Sequence, residues 1–476
     1  MRLNSDRARA FVSASMILLT LTAFVTSPAR TAEAAESRPA ARSGPEWLRD
    51  AVVYEVFPRA FSPQGNFKGI TAQLDRLKDL GVTVLWLMPV HPVGKLKAKG
   101  SLGSPYAVRD YDAVNPEYGN GDDLKQLVAA AHQRGMKVLI DIVANHTAWD
   151  SVLISKHPDW YTHDAAGHIV PPNPDWVDVA DLDYGKPALR SYMSGMLVRW
   201  LKDYALDGFR LDYASGVPTD FWESVRPELD RARPGLALLG ESDDPALMRK
   251  AFDIDYAWDF YHATSDALAG RAPASTVREV WERAEAKYPQ GALRLRFSDN
   301  HDQLRTTAQA GLPAALAASA VMFTLDGAPL LYNGMEVGDC TESAAPGLFE
   351  RAPIAWEMAE RRPQVTPYYR ALATLRRTHA AFTRGAVHWL RNGDEQRVLS
   401  YERVGAGESL VVAVNLSSLA FAGNVDMPAG EYREITPEWR AAAGVSPTPQ
   451  DARRAAALPA VFLAPWEFRV FRRALP

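Results

Sequence analysis

The sequence predicts a (β/α)8 barrel of the α/β class, with an insertion after the third strand and an antiparallel β-sandwich domain at its C-terminal end. Three observations carry this prediction. Eight short strand-like segments alternate with helix-like segments, which is the texture of parallel βαβ units. No Gly-x-Gly-x-x-Gly turn follows the first apolar segment, which disfavours a doubly wound dinucleotide-binding sheet. Beyond about Ala381 the texture changes to alternating strands separated by turn residues, as in an antiparallel sheet.

The elements follow in order. AVVYEVF (51–57) precedes the helical GITAQLDRLKDLG, VTVLWLMPV (82–90) precedes DDLKQLVAAAHQRG, and MKVLIDIVANH (136–146) is the third strand. Residues 147–186, rich in Trp, Pro, Asp and His, show little periodicity and form the insertion. ALRSYMSGMLVRWLKDYA then leads into DGFRLD (207–212), and FWESVRPELDRA into LALLGES (236–242). DIDYAWD, LRLRFSDNHD and MFTLDGAPLLY complete the eight. The barrel thus occupies 35–146 and 187–380, and 381–476 form the C-terminal domain through RVLSYERV, SLVVAVNLS and VFLAPWEFRVFRR.

Residues 1–34 read as a signal peptide. Arg2, Arg7 and Arg9 precede an apolar run from Phe11 to Val25, followed by Ala32-Glu33-Ala34, so cleavage after Ala34 and a secreted location, extracellular or periplasmic, are expected. The run is short for a membrane span and no second one follows, so no membrane association is expected after cleavage. A single cysteine, Cys340, excludes an intramolecular disulfide. A net charge of −4 with no basic stripe argues against nucleic acid as a partner. Thirteen tryptophans and seventeen tyrosines supply the flat apolar faces on which sugar rings stack, and serve equally as core. Oligomeric state is not legible.

Within GFRLD, Arg210 and Asp212 lie two residues apart and therefore share one face of a buried strand. Unpaired buried charge is too unfavourable to be incidental, so the two either satisfy each other or do chemistry. In a parallel barrel the functional groups cluster at the C-terminal strand ends. Those ends carry Asp141, Asn145 and His146 on the third strand, Arg210 and Asp212 on the fourth, Glu241 on the fifth, and His301 with Asp302 on the seventh. A nucleophilic carboxylate and a carboxylic acid are what glycoside hydrolysis with retained configuration requires. A structural ion pair, a helix-capping glutamate and core or metal-binding histidines remain the competing readings of the single residues.

Four signatures in this order, DIVANH (141–146), GFRLD (208–212), GES (240–242) and FSDNHD (297–302), resemble the α-amylase family of glycoside hydrolases. The resemblance covers most of residues 51–380 and extends to VYEVFPRAF, SPYAVRDYDAVNPEYG, ADLD and GAPLLYNGMEVG. It implies a secreted, retaining α-glycosidase acting on α-1,4-linked glucans or malto-oligosaccharides. Asp212 would be the nucleophile, Glu241 the acid/base and Asp302 the transition-state stabiliser. Arg210 would orient Asp212 and lower its pKa, while crowding by the other carboxylates raises that of Glu241. His146 and His301 would bind hydroxyls of the cleaved sugar, Tyr106 would lie beneath its ring, and Asp141 would be structural. The same carboxylates serve a transglycosylase or a cyclodextrin- or pullulan-directed hydrolase, and an inactive sugar-binding relative is the alternative outside the enzymes. Ser215 and Gly216 stand where many members carry Lys-His, and Asp243 where an aromatic residue is frequent. The chemistry needs no cofactor. Any calcium would be structural, held by Asn145, Asp183 and the Gly216 carbonyl, a sparse set beside the six to eight oxygens calcium takes, so weak or absent dependence is expected.

Overall fold

A computed structural model describes residues 38–341, 344–436 and 458–475; the expected signal segment lies outside them. Eight parallel strands close a barrel: β1 (Val53–Val56), β2 (Val84–Leu87), β3 (Lys137–Val143), β4 (Gly208–Asp212), β5 (Ala237–Gly240), β6 (Ile254–Tyr256), β7 (Leu293–Arg296) and β8 (Ala328–Tyr332). Each pairs with its sequence neighbours, and β1 pairs with β8. All eight fall within the segments expected from sequence. In the last of these, Met322–Thr324 instead end the helix Leu312–Thr324, and Gly327, at φ 92°, separates that helix from β8.

Side chains alternate between two cores, as the two-residue period of a strand demands. Val53, Val84, Trp86, Leu139, Ala237, Leu239, Tyr256 and Leu330 fill the barrel interior. Tyr54, Leu85, Ile140, Phe209, Leu211 and Leu238 face the surrounding helices. On β4 this leaves Arg210 pointing inward between Phe209 and Leu211. The insertion after β3 carries a short antiparallel pair, His146–Ala148 with Val179–Asp181, and little other regular structure.

At the C-terminal end, β9 (Ala386–Trp389), β10 (Val398–Gly405), β11 (Glu408–Asn415), β12 (Phe421–Asn424), β13 (Arg433–Glu434), β14 (Ala460–Leu463) and β15 (Phe468–Ala474) are all antiparallel. They form a five-stranded sheet in the order β9-β10-β11-β15-β13 and a two-stranded sheet β12-β14. Val398, Val411, Phe421, Val461 and Phe471 make a core between the two sheets. The other face joins the main core through Tyr401, Leu410 and Val412, and Arg403 donates to the carbonyls of Thr324 and Gly385. Among the described residues, no helix is long and apolar enough to cross a membrane.

Gly208 begins β4 at φ 146°, and a Cβ there would lie 1.8 Å from the Ala237 carbonyl oxygen. Both the backbone conformation and the close approach of β5 require glycine. Gly208→Ala is therefore expected to destabilise the barrel by about 3 kcal/mol or more, read as a lowered midpoint of urea unfolding. An unchanged midpoint would mean that β4 and β5 separate without loss.

Candidate active site

The strand ends deliver all seven residues expected at the site to one place. Tyr106 lies on the loop after β2, His146 follows β3, Arg210 and Asp212 belong to β4, Glu241 is the first residue after β5, and His301 and Asp302 follow β7. Six of them line a single cleft of about 560 Å³, and Arg210 lies beneath it, fully buried.

Arg210 organises this floor. Its guanidinium carbon sits 5.1 Å from the Trp86 ring centre and 5.6 Å from that of Tyr256. Nη1 donates to both oxygens of Asp141, at 2.9 and 3.0 Å, and to Asp212 Oδ1 at 2.9 Å. Nε donates to the Tyr256 hydroxyl at 3.2 Å. Nη2 lies 2.9 Å from Glu241 Oε2, an ionic contact without hydrogen-bond alignment. The pair expected from sequence is thus part of a cluster of one arginine and three carboxylates, and Glu241, which has no arginine beside it in sequence, gains one in space.

One guanidinium does not neutralise three buried carboxylates. Burial pushes Asp141 and Glu241 each up to about 7. It also raises Asp212 above its ordinary range although Arg210 pulls the other way, which corrects the expectation of a lowered value: desolvation outweighs the adjacent charge. The cluster therefore retains a proton near neutrality. Asp141 accepts from Arg210, from the Tyr106 hydroxyl at 3.0 Å and from Trp86 Nε1 at 3.3 Å, all of which favour its ionised form. Glu241 accepts one hydrogen bond, from the Tyr213 N–H at 2.8 Å, so fewer hydrogen bonds oppose its protonated form than oppose that of Asp141. The negative charges of Asp212 and Asp302 reinforce this.

A second ionic group flanks the first. His301 donates from Nδ1 to Glu55 Oε1 at 2.5 Å, and its Nε2 lies 2.7 Å from the Tyr106 hydroxyl and 3.2 Å from Asp302 Oδ2. Burial opposes its charge, yet Asp302 and Glu55 raise its pKa well above the usual histidine value, making it an imidazolium. That cation in turn holds Asp302 ionised, below its ordinary range despite burial. Tyr106 stacks on the His301 ring, 5.1 Å between centres at 19°. His146 is pushed down to about 4 by burial and is neutral, and Asn145 Nδ2 lies 3.3 Å from its Nδ1.

Several residues of the site escaped the sequence reading. Glu55 had the same signal as Arg210, a charge inside the apolar strand AVVYEVF. Tyr256 and Trp258 lie at the end of β6 and stack at 25°. Trp176, from the aperiodic insertion, meets Tyr213 at 5.1 Å and His146 at 5.6 Å. Tyr213 adopts a left-handed backbone, φ 40°, which turns the chain sharply after Asp212.

Of the residues named for calcium, Asp183 already has other partners. Asp183 accepts from the Gly185 N–H at 2.8 Å, and its other oxygen lies 3.7 Å from Lys186 Nζ, a cation that competes for the same charge. Asn145 Oδ1 abuts Gly216, where a Cβ would fall 2.5 Å from it. Among the described residues no group of three acidic, histidine or cysteine side chains is arranged to hold a metal. Exhaustive chelation is expected to leave the melting temperature and the activity unchanged; a drop restored by calcium but not by magnesium would overturn this.

Comparison with known proteins agrees with this geometry. The family model for the α-amylase catalytic domain matches residues 31–402. The α-amylase MalA of Haloarcula japonica is 28% identical over 415 residues, covering 82% of this chain, which spans 60% of that relative's length. A cyclomaltodextrinase of a Bacillus species is 27% identical over 419 residues, covering 78% of this chain and 73% of its own. Among solved structures, an α-amylase from Lactobacillus plantarum superposes with a TM-score of 0.79 at 32% identity over 90% of this chain and 99% of that one. A maltogenic α-amylase from Thermotoga neapolitana superposes at 0.80 with 29% identity, covering 90% and 100%. With the barrel, the cleft and the catalytic-domain match in agreement, the chain belongs to the α-amylase family of glycoside hydrolases.

Proposed function

We propose that this enzyme hydrolyses α-1,4-glucosidic bonds in starch-like glucans or malto-oligosaccharides, with retention of configuration by double displacement. One observation carries the reading: Asp212 and Glu241, at the ends of adjacent strands, contact the same guanidinium, and burial raises Glu241 to about 7. A carboxylate nucleophile and a carboxylic acid across one bond are what the two steps need. Asp212 attacks the anomeric carbon while Glu241 protonates the departing oxygen, leaving a glycosyl ester on Asp212. Glu241, now ionised, takes a proton from water, which attacks the same carbon and releases Asp212. Asp302, kept ionised by His301, adds negative potential where positive charge develops on the sugar ring. The names of the relatives, α-amylase, cyclomaltodextrinase and maltogenic α-amylase, support an α-glucan as substrate.

Export belongs to this proposal. Its support is the arginine-led apolar run and the Ala32-Glu33-Ala34 sequence. Protein recovered from the culture medium or periplasm is expected to begin at Ala35 on N-terminal sequencing; an intact Met1 on active protein held in the cytoplasm would refute export.

The roles separate in variants. Asp212→Asn removes the nucleophile and is expected to abolish turnover on every substrate. Glu241→Gln is expected to slow glucan cleavage about 10²- to 10⁴-fold while sparing ester formation from activated aryl glycosides, whose leaving group needs no proton. Equal loss on both substrate types in a folded Glu241→Gln protein would remove Glu241 from the acid role.

The pH profile follows from the same charges. Glu241 works protonated, so kcat/KM is expected to fall as pH rises through about 7. Asp212 works ionised, so the acid limb lies above the ordinary aspartate value, because burial raises it. On activated aryl glycosides the alkaline limb is expected to vanish in Glu241→Gln.

A further inference from the structure

The two ends of the cleft are built differently, and the barrel order says which is which. Strands run β1-β8-β7-β6-β5-β4-β3-β2 around the barrel, so β5, which precedes Glu241, stands opposite β1. A general acid protonates the oxygen of the departing sugar, so the leaving chain lies over β5. The retained chain runs to the opposite rim, over β1 and the loops that follow its neighbours β2 and β8. In an α-1,4 glucan the departing part carries the reducing end, and the retained part carries the non-reducing end.

At that opposite rim a strap, residues 95–103, is fastened on both sides. Towards the loop after β8, the Leu102 N–H donates to the Phe349 carbonyl at 3.0 Å, and the Ser101 N–H to Glu350 Oε1 at 2.7 Å. Arg59 Nη1 ties the two loops together by donating to the carbonyls of Gly103 and Leu348, at 3.2 and 3.0 Å. Towards the insertion, the Lys95 N–H donates to Asp150 Oδ2 at 3.0 Å, and Lys97 Nζ lies 3.6 Å above the Trp149 ring. Gly100, at φ 65°, leaves no gap: a Cβ there would fall 2.5 Å from Phe349 Cβ.

The strap and its neighbours wall the cleft. Lys99, from the strap, and Leu348 and Phe349, from the loop after β8, all line it. Lys99 is held in place by Asp178 Oδ1 at 2.9 Å, and its Nζ lies 6.0 Å from the Phe349 ring centre. The β5 end is bordered by Ser242, Asp243 and Tyr213, whose side chain is 40% exposed. A chain leaving over β5 meets Tyr213 beside small polar groups, whereas a chain continuing over β1 meets a cation paired with Asp178 and the side chain of Phe349, whose backbone is tied to the strap.

Resting on the glucan reading above, we propose that this wall makes the enzyme exo-acting: it takes the non-reducing ends of linear α-glucans and releases one- or two-unit products, with Lys99 and Phe349 setting the limit. Cyclic glucans, which have no end, and chains with a bulky cap on the terminal sugar do not fit.

The test uses the full-length enzyme on maltoheptaose tagged at its reducing end, either open or carrying a 4,6-O-cap on the non-reducing sugar. From the open form, tagged products shortened stepwise by one or two units are expected. The capped form and cyclodextrin are expected to react at least about 100-fold more slowly. In the Lys99→Ala/Phe349→Ala variant the ratio of capped to open rates is expected to rise about tenfold. Comparable wild-type cleavage of capped and open chains, or tagged fragments arising first from mid-chain, overturns the inference and leaves the glucan reading intact. So does an unchanged ratio in the folded variant. Cleavage of neither chain overturns the glucan reading itself, and the inference with it.

Discussion

The guanidinium of Arg210, held inside the barrel without contact with water, constrains most of what surrounds it. An arginine stays charged under any condition the protein meets, so its burial has to be matched by opposite charge at fixed positions. The carboxylates come from three successive strands: Asp141 on β3, Asp212 on β4 and Glu241 at the end of β5. Strand register enforces the match, since Asp141 pairs directly with Arg210 and Leu211 with Gly240, next to Glu241. A slip of one residue would turn Arg210 into the helix layer among Phe209 and Leu211's partners, and expose both apolar side chains to the charged floor.

The burial that makes this cluster unfavourable in isolation is also what makes it chemically useful. Three carboxylates around one cation are all raised by burial, and their hydrogen bonds differ. Asp141 is saturated by Arg210, Tyr106 and Trp86, while Glu241 stands at the cleft wall with a single donor. The proposed acid and nucleophile thus differ through their surroundings and not through their own chemistry. The Glu55–His301–Asp302 group works in the opposite sense, stabilising an ionised Asp302 beside a Glu241 that burial raises.

The rim loops are built differently from the floor. Their architecture is asymmetric: the loops after β2 and β8 are tied to each other by Arg59, Ser101 and Leu102, whereas the turn after β4 leaves Tyr213 exposed beside Trp176. The C-terminal sheets contribute nothing to the cleft among the described residues; they cover barrel helices through Tyr401 and Arg403.

The barrel was legible in the sequence because its strands are short and buried, and each is separated from the next by a helical period, and eight such repeats without a Gly-x-Gly-x-x-Gly turn favour the closed sheet over a doubly wound one. The three carboxylates proposed for catalysis were conspicuous for a related reason: a charge at the end of a strand is rare enough to need a purpose, as with Asp212, Glu241 and Asp302. Glu55 carried that signal too, but only the fold shows that β1 and β7 present it to His301. The protonation of the site was a tertiary decision, since sequence places Arg210 beside Asp212 alone, while space gives it Asp141 and Glu241 as well, and desolvation then outweighs the nearest charge. The walls of the cleft were equally hidden. Lys99, Trp176, Asp178 and Phe349 sit in segments without period or propensity, and their positions follow from hydrogen bonds between loops far apart in the chain, which no local pattern encodes.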